Sequence, residues 1–186
     1  DDPTSLSGQK VMVIYQDHKE RYWIGTADGG LDGFDPSEGV FVTYQHNSDD
    51  ENTLSNNRVT SVIEDANGLL WVGTQKGLNQ INLTTGLITH YLAGGLEPVS
   101  LSNNTVNALY SDRFGNLWVG TNAGLDRMNK DRSRFTHYYN DPSFQKSLSN
   151  NSVLSIFEDR GGVLWFGTYG GGVNKYDRGR DRFAYF

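Results

Sequence analysis

The chain contains no cysteine, so disulfides, thiolate metal sites and a thiol nucleophile are all excluded. Proline is scarce at 4 residues, methionine at 2, and hydrophobic residues make up a low 36%. No apolar run approaches the length that crosses a bilayer, and no charged-then-apolar leader opens the sequence at Asp1. Basic residues are outnumbered, 16 against 22 acidic, giving a formal net charge of −6. That balance argues against nucleic acid or an anionic membrane surface as partner, since both reward clustered Lys and Arg. Helical periodicity is missing as well: no stretch offers ten or more residues of 3.6-residue repetition. Catalytic signatures are also absent, with no Gly-x-Ser-x-Gly elbow, phosphate loop or His-Glu-x-x-His.

What is present is glycine (22 residues), aromatic side chains (12%) and a repeat. The tryptophans Trp23, Trp71, Trp118 and Trp165 lie 48, 47 and 47 residues apart. Each begins a Trp-x-Gly-Thr box whose glycines are Gly25, Gly73, Gly120 and Gly167. Upstream stand aligned leaders such as "TLSNNRVTSVIED" (53–65) and "SLSNNSVLSIFED" (147–159), each ending in an aspartate: Asp17, Asp65, Asp112 or Asp159. Downstream come Gly-Leu or Gly-Val and then an aromatic run such as "LITHYL" or "RFTHYY".

A period in the high forties built from short β-branched and aromatic segments fits propeller blades. The expected fold is all-β: four blades, each a four-stranded antiparallel meander, spanning 1–53, 54–100, 101–147 and 148–186 of one array. In the second blade the strands are read as a (59–65), b (70–74), c (78–83) and d (87–92), with Asn67-Gly68 as a two-residue hairpin. Strand a is apolar on both sides in every copy, which predicts an inner strand covered on both faces. Each tryptophan is expected to pack on the next blade. Burying ~150–250 Å² of indole is worth roughly 4–6 kcal/mol before entropy is deducted. The following glycine then admits a neighbouring backbone, and the threonine hydroxyl caps the b–c turn.

These residues resemble the two-component regulator propeller repeat, whose pattern is Ser-Leu-Ser-x-[Asn/Asp]-x-Val, Glu-Asp-x-x-Gly-x-Leu-Trp-[Ile/Val]-Gly-Thr and Gly-Gly-Leu. The stretch 147–177 is a close match, and the resemblance covers essentially all 186 residues. It implies an extracytoplasmic, periplasmic sensor segment of a bacterial membrane signalling protein, often a hybrid histidine kinase. It further implies a glycan fragment or another small polar molecule as ligand, with no cofactor and no catalysis. Two departures stand out. The first blade has Gly8-Gln9 for the Asn pair and no glycine in its a–b turn "DHKER" (17–21). Family propellers usually have about seven blades, whereas four are encoded here.

"DDPTSLS" (1–7) carries the same Asp-Pro and Ser-Leu-Ser elements as "NDPSFQKSLS" (140–149), so it reads as an internal joint of something longer. Strand a opens the array and strand d ends it, which leaves three arrangements: a closed four-bladed ring, two copies completing an eight-bladed ring, or a fragment of a larger propeller. Open faces favour a homo-oligomer; remaining blades or signalling domains of a parent protein are the other expected partners.

The b–c and d–a connections of a meander emerge on one side. There the b–c turns differ between otherwise matching blades, and scaffolds place specific contacts at such positions. Asp28, Gln75, Lys76, Asn122 and Tyr169 are the candidate ligand-binding residues, with Tyr169 as an aromatic platform; otherwise they are solvated turn residues. The pairs Asn56-Asn57, Asn103-Asn104 and Asn150-Asn151 are expected to hold the loop before strand a. The acidic run Ser48–Glu51 lacks calcium-loop spacing and reads as a solvated charge run. His18, His46, His90 and His137 show no metal-ligand spacing. An interaction scaffold, or a polysaccharide lyase or hydrolase, are the alternative functions.

Overall fold

The computed structural model describes residues 5–95 and 98–186; Asp1–Thr4 of the proposed joint, and Leu96 and Glu97 of one d–a connection, lie outside them. Every regular element in the described residues is a strand, and none is a helix able to cross a membrane. The first sheet comprises β1 (Val11–Gln16), β2 (Tyr22–Thr26), β3 (Leu31–Asp35) and β4 (Val40–Tyr44). The second comprises β5 (Val59–Glu64), β6 (Leu70–Thr74), β7 (Gly77–Ile81) and β8 (Ile88–Tyr91). The third comprises β9 (Val106–Ser111), β10 (Leu117–Thr121), β11 (Leu125–Met128) and β12 (Phe135–Tyr138). The fourth comprises β13 (Val153–Glu158), β14 (Leu164–Thr168), β15 (Gly172–Asp177) and β16 (Arg182–Tyr185). All four sheets run in chain order with antiparallel neighbours, the meander expected of a propeller blade.

The chain divides into two compact units, Asp1–Tyr91 and Leu92–Phe186, each holding two blades. In the first unit, Trp23 of blade 1 is buried among Leu54, Val59, Val62, Leu70, Val72, Ile81 and Ile88 of blade 2. In the second, Trp118 of blade 3 is buried among Leu148, Val153, Leu164, Phe166, Tyr176 and Phe183 of blade 4. Sequence-matched positions therefore build the same interface twice, with the leader leucine (Leu54 or Leu148) wedged in each.

Three expectations need correction. Strand a is not covered on both faces in every blade. β5 buries Val59, Ser61 and Val62, whereas β1 leaves Ile14 64% exposed and β13 leaves Phe157 62% exposed. The apolar pattern marks a face that can be covered, and only packing covers it. Trp165, equally, is wedged against no following blade and is only half-buried. Finally, the a–b turn is not a two-residue hairpin. Asp65 N–H bonds Leu69 O, Gly68 N–H bonds Asp65 O, and of the Asn67-Gly68 pair only Gly68 has positive φ (75°), so three residues are enclosed. Gly115 and Gly162 take the same left-handed place, and in blade 1 it falls to Glu20 at φ 64°.

The box glycine admits the next blade's first valine, by side chain as well as backbone. A Cβ on Gly25 would lie 2.5 Å from Val59 Cγ1, and one on Gly120 would lie 3.0 Å from Val153 Cγ1 and 3.1 Å from Val153 O. One feature went unread: each strand a carries a bulge at its second residue. Val11 and Val13, or Val59 and Ser61, pair in register while Met12 or Thr60 does not; Asn107 and Leu154 occupy the same slot.

Candidate functional site

Two turn systems fix each blade. At the a–b end the repeated aspartate closes the turn and also holds the tryptophan. Asp65 Oδ1 accepts from Asn67 N–H (2.8 Å) and Leu69 N–H (3.2 Å), and its Oδ2 accepts the indole N–H of Trp71 at 2.9 Å. The same indole bond recurs as Trp23–Asp17 (3.0 Å), Trp118–Asp112 (2.8 Å) and Trp165–Asp159 (3.0 Å). A buried indole N–H needs an acceptor, and the constant six-residue Asp-to-Trp spacing was the available signal. Burial alone would raise the Asp112 carboxyl, but donation from Trp118, Arg178 and Asn116 outweighs it and holds the group below the usual carboxylate range. Asp17 is held low in the same way by Trp23 and Arg21 against its own desolvation.

At the b–c end a polar framework repeats. The threonine hydroxyl donates to the carbonyl closing the turn: Thr26 to Gly30 (3.0 Å), Thr74 to Gly77 (2.9 Å), Thr121 to Gly124 (2.8 Å) and Thr168 to Gly172 (3.1 Å). A fully buried polar residue of strand c then ties down the leader serine. Ser7 N–H reaches Asp32 (2.9 Å), Ser55 reaches Asn79 (2.8 Å), Ser102 reaches Asp126 (2.9 Å) and Ser149 reaches Asn174 (2.9 Å). Sequence reasoning missed these four, although each immediately follows the Gly-Leu or Gly-Val pair at the start of strand c.

The Asn pairs behave as expected. Asn56, Asn103 and Asn150 accept from the N–H two residues on, and Asn57, Asn104 and Asn151 accept from His46, Ala93 and Asn140 N–H at the end of strand d. His90 bonds Thr53 O and braces a d–a connection, whereas His137 bonds its cross-strand partner Asp126. His46 likewise meets Leu54 O, and His18 pairs with Glu64 at 2.6 Å. Within the acidic run, Asp50 accepts from Asn52 N–H in a tight turn, and among the described residues no three metal-ligating side chains converge.

This framework brings the b–c turn of each blade against the residue preceding strand a. Ala27 N–H bonds Lys10 O (2.9 Å), Gln75 bonds Arg58 O (3.2 Å), Asn122 bonds Thr105 O (3.1 Å) and Tyr169 bonds Ser152 O (2.9 Å). In the first unit Gly30 N–H also bonds Asn57 O at 3.0 Å, linking the two blades into one edge. Along that edge the structure gathers Asp28, Gln75 and Lys76 with Lys10 and Arg58. Asp28, Gln75, Lys76 and Lys10 are exposed, and Arg58 Nε is buried without a hydrogen-bond partner. In the second unit Asn107 bonds both Asn122 Oδ1 and Val153 O at 3.0 Å, so Asn122 is held. Tyr169 stands 72% exposed. Among the described residues the side chains of Asp28, Gln75, Lys76 and Tyr169 make no hydrogen bond or ion pair, which leaves them available. Two hollows of about 540 and 550 Å³, one beside His46 and His90 and one beside Lys175 and Arg178, involve none of the five predicted residues.

The family description "two component regulator propeller" matches residues 5–28, 53–76, 100–123 and 147–170. Among solved structures, the extracellular domain of the putative hybrid two component system BT3049 from B. thetaiotaomicron is similar, with TM-score 0.81 and 24% identity over 97% of this chain and 24% of that one. The extracellular domain of the putative one component system BT4673 from the same organism gives TM-score 0.71 and 28% identity over 89% of this chain and 21% of that one. Virginiamycin B lyase from Staphylococcus aureus shares the fold at TM-score 0.69 and 14% identity, over 98% of this chain and 56% of the lyase. This chain therefore spans a quarter or less of the two sensor chains. No curated protein matches it.

Proposed function

The chain belongs to the two component regulator propeller family, and from that membership we propose that it is the extracytoplasmic, periplasmic ligand-binding part of a bacterial signalling protein. The related extracellular domains of two component systems support this reading. Its ligand is a small polar molecule, a glycan fragment being the favoured class, held at the b–c edge of the blades. One observation carries the proposal. At that edge the repeated polar side chains are consumed by the Ser–Thr–Asp/Asn framework, while Asp28, Gln75, Lys76 and Tyr169, four of the five candidate positions that differ between blades, are left unbonded. A rigid frame that presents variable, unsatisfied side chains is what a binding surface needs. Lys10, Arg58 and Lys76 outnumber Asp28 on the first unit's edge, so a ligand carrying a carboxylate or sulfate group is favoured over a neutral one. The output that reads such binding lies in other parts of the protein.

The test is calorimetric titration with neutral, carboxylated and sulfated oligosaccharides. One class binds, and Lys76→Ala or Gln75→Ala weakens that binding about tenfold while leaving the melting temperature of the free protein unchanged. Absence of heat with all three classes, or binding indifferent to both substitutions, refutes the assignment.

A further inference from the structure

Each unit contains one version of the same blade–blade interface, and the two versions differ at strand c. In the second unit, Arg127 pairs across the ladder with Trp118 and lays its guanidinium 5.5 Å from the ring centres of both Trp118 and Tyr138. Its Nη1 donates to the Tyr176 hydroxyl at 2.9 Å, and Asp181 stands 3.8 Å away. Arg178, from the facing blade, bonds Asp112 and Glu158 at 2.8 and 3.1 Å. This interface carries its own cations on an aromatic floor.

The first unit keeps the floor and drops both cations. Trp23 and Tyr44 lie 6.1 Å apart, much as Trp118 and Tyr138 lie 5.8 Å apart. Register puts Gly33 opposite Trp23 in the place of Arg127, with Ile81 in that of Tyr176 and Leu83 in that of Arg178. The result is a hollow of about 180 Å³ between blades 1 and 2. It is lined by the buried Trp23 and half-buried Tyr44, by Val42 and Leu83, and by the carboxylates of Asp35 and Glu38.

Its charges select the occupant. Arg21 also lies over the indole, at 5.5 Å, but its Nε and Nη2 are both spent on Asp17 at 2.8 and 2.7 Å, so that pair is neutral. Asp35 accepts from Ser37 Oγ and N–H at 2.6 and 2.9 Å, which holds its carboxyl below the usual carboxylate range. Glu38 is exposed, and among the described residues no side chain pairs with it. With Arg21 already matched, two carboxylates beside aromatic faces and aliphatic walls call for a cation on an aliphatic stem. The chain does not supply one from position 33. Trp23 leans onto that glycine, and a Cβ there would stand 2.7 Å from the ring.

We propose that this hollow is a binding site for an alkylguanidinium group brought by another molecule, seated beside Trp23 and Tyr44 as Arg127 is seated beside Trp118 and Tyr138. The second interface supplies the template for what such a floor accepts. The hollow shares no residue with the b–c edge, so it stands apart from the ligand proposed there. A free small molecule and an arginine side chain of a polypeptide present the same group, and the same contacts recognise both.

Titrating the 186-residue chain with ethylguanidinium, while following the indole N–H signals by NMR, reads the site directly. The Trp23 signal shifts saturably, with a dissociation constant on the order of 5 mM. The Trp118 signal stays in place, because Arg127 fills its site. Ethylurea, of the same shape without the charge, leaves Trp23 unmoved. Glu38→Gln, at an exposed position, weakens binding about threefold at low salt. Leu83→Arg brings a guanidinium from the wall itself and abolishes binding with unchanged circular dichroism. A capped Gly-Arg-Gly peptide that binds tighter than ethylguanidinium assigns the group to a polypeptide, and equal or weaker binding assigns it to a small molecule. No shift up to about 50 mM, a shift that ethylurea reproduces, or binding untouched by both substitutions overturns the site.

Discussion

Blades 3 and 4 spell almost the same box, Leu117–Thr121 and Leu164–Thr168, and give it opposite surroundings. Trp118 is fully buried, ringed by Tyr138, Phe166 and Tyr176 at 5.1–5.8 Å with the Arg127 guanidinium over its face. Trp165 has Phe186 at 6.3 Å and Lys175 at 5.7 Å, and stays half-buried. The indole–aspartate bond is nonetheless kept in both, at 2.8 and 3.0 Å. The hairpin that aims the ring is thus a local device written within seven residues. Burial, which supplies the energy, comes from whatever blade follows.

The sharpest way to break this comparison is to remove each ring. Trp118→Ala should cost about 3–5 kcal/mol, and Trp165→Ala about 1–2 kcal/mol, read as urea midpoints at constant slope. Equal losses would mean that Trp165 is covered in solution. Next in size is Asp112→Asn, which sets an amide N–H against the Trp118 indole N–H and releases Arg178 (2.8 Å). The expected loss is about 2–3 kcal/mol at neutral pH. The Asp112 carboxyl is lowered in the folded state, so the stability it contributes is present above the ordinary carboxylate pKa and disappears as pH falls through the folded value. The gap between wild type and variant should therefore close below about pH 4. A pH-independent gap would assign the loss to packing alone. The smallest effect is a gain. Glu20 holds the left-handed position that glycine occupies in the other blades, so Glu20→Gly should stabilise by about 0.5–1 kcal/mol. A loss would show that the Glu20 side chain is needed.

The repeat made the meander, the strand positions, the tryptophan pockets and the threonine caps legible, because each depends on contacts within one 47-residue unit or on its immediate successor. What stayed hidden depends on partners that the pattern does not name. Apolar alternation in β1 and β13 looks like that of β5, yet Ile14 and Phe157 are exposed, since the sequence of one blade cannot report whether another lies on it. The buried Asp32, Asn79, Asp126 and Asn174 carry no signal of their own within strand c, and only the serine some 25 residues upstream gives them their role. Of the candidate site, the b–c turn positions and their exposure were readable. The cationic neighbours Lys10 and Arg58 were not, because backbone hydrogen bonds across the edge bring them there.

The bulge in strand a has a consequence of its own. Its residue sits outside the rungs of the ladder, and the four blades fill it with a thioether, a hydroxyl, an amide and an isobutyl group at Met12, Thr60, Asn107 and Leu154. Such a slot is a socket. Thr60 and Asn107 spend their polar groups on Gly73 O and Val153 O, whereas Met12 and Leu154 can be exchanged without re-cutting the sheet, so a library confined to those two positions would vary the chemistry the protein presents while the scaffold stays the same.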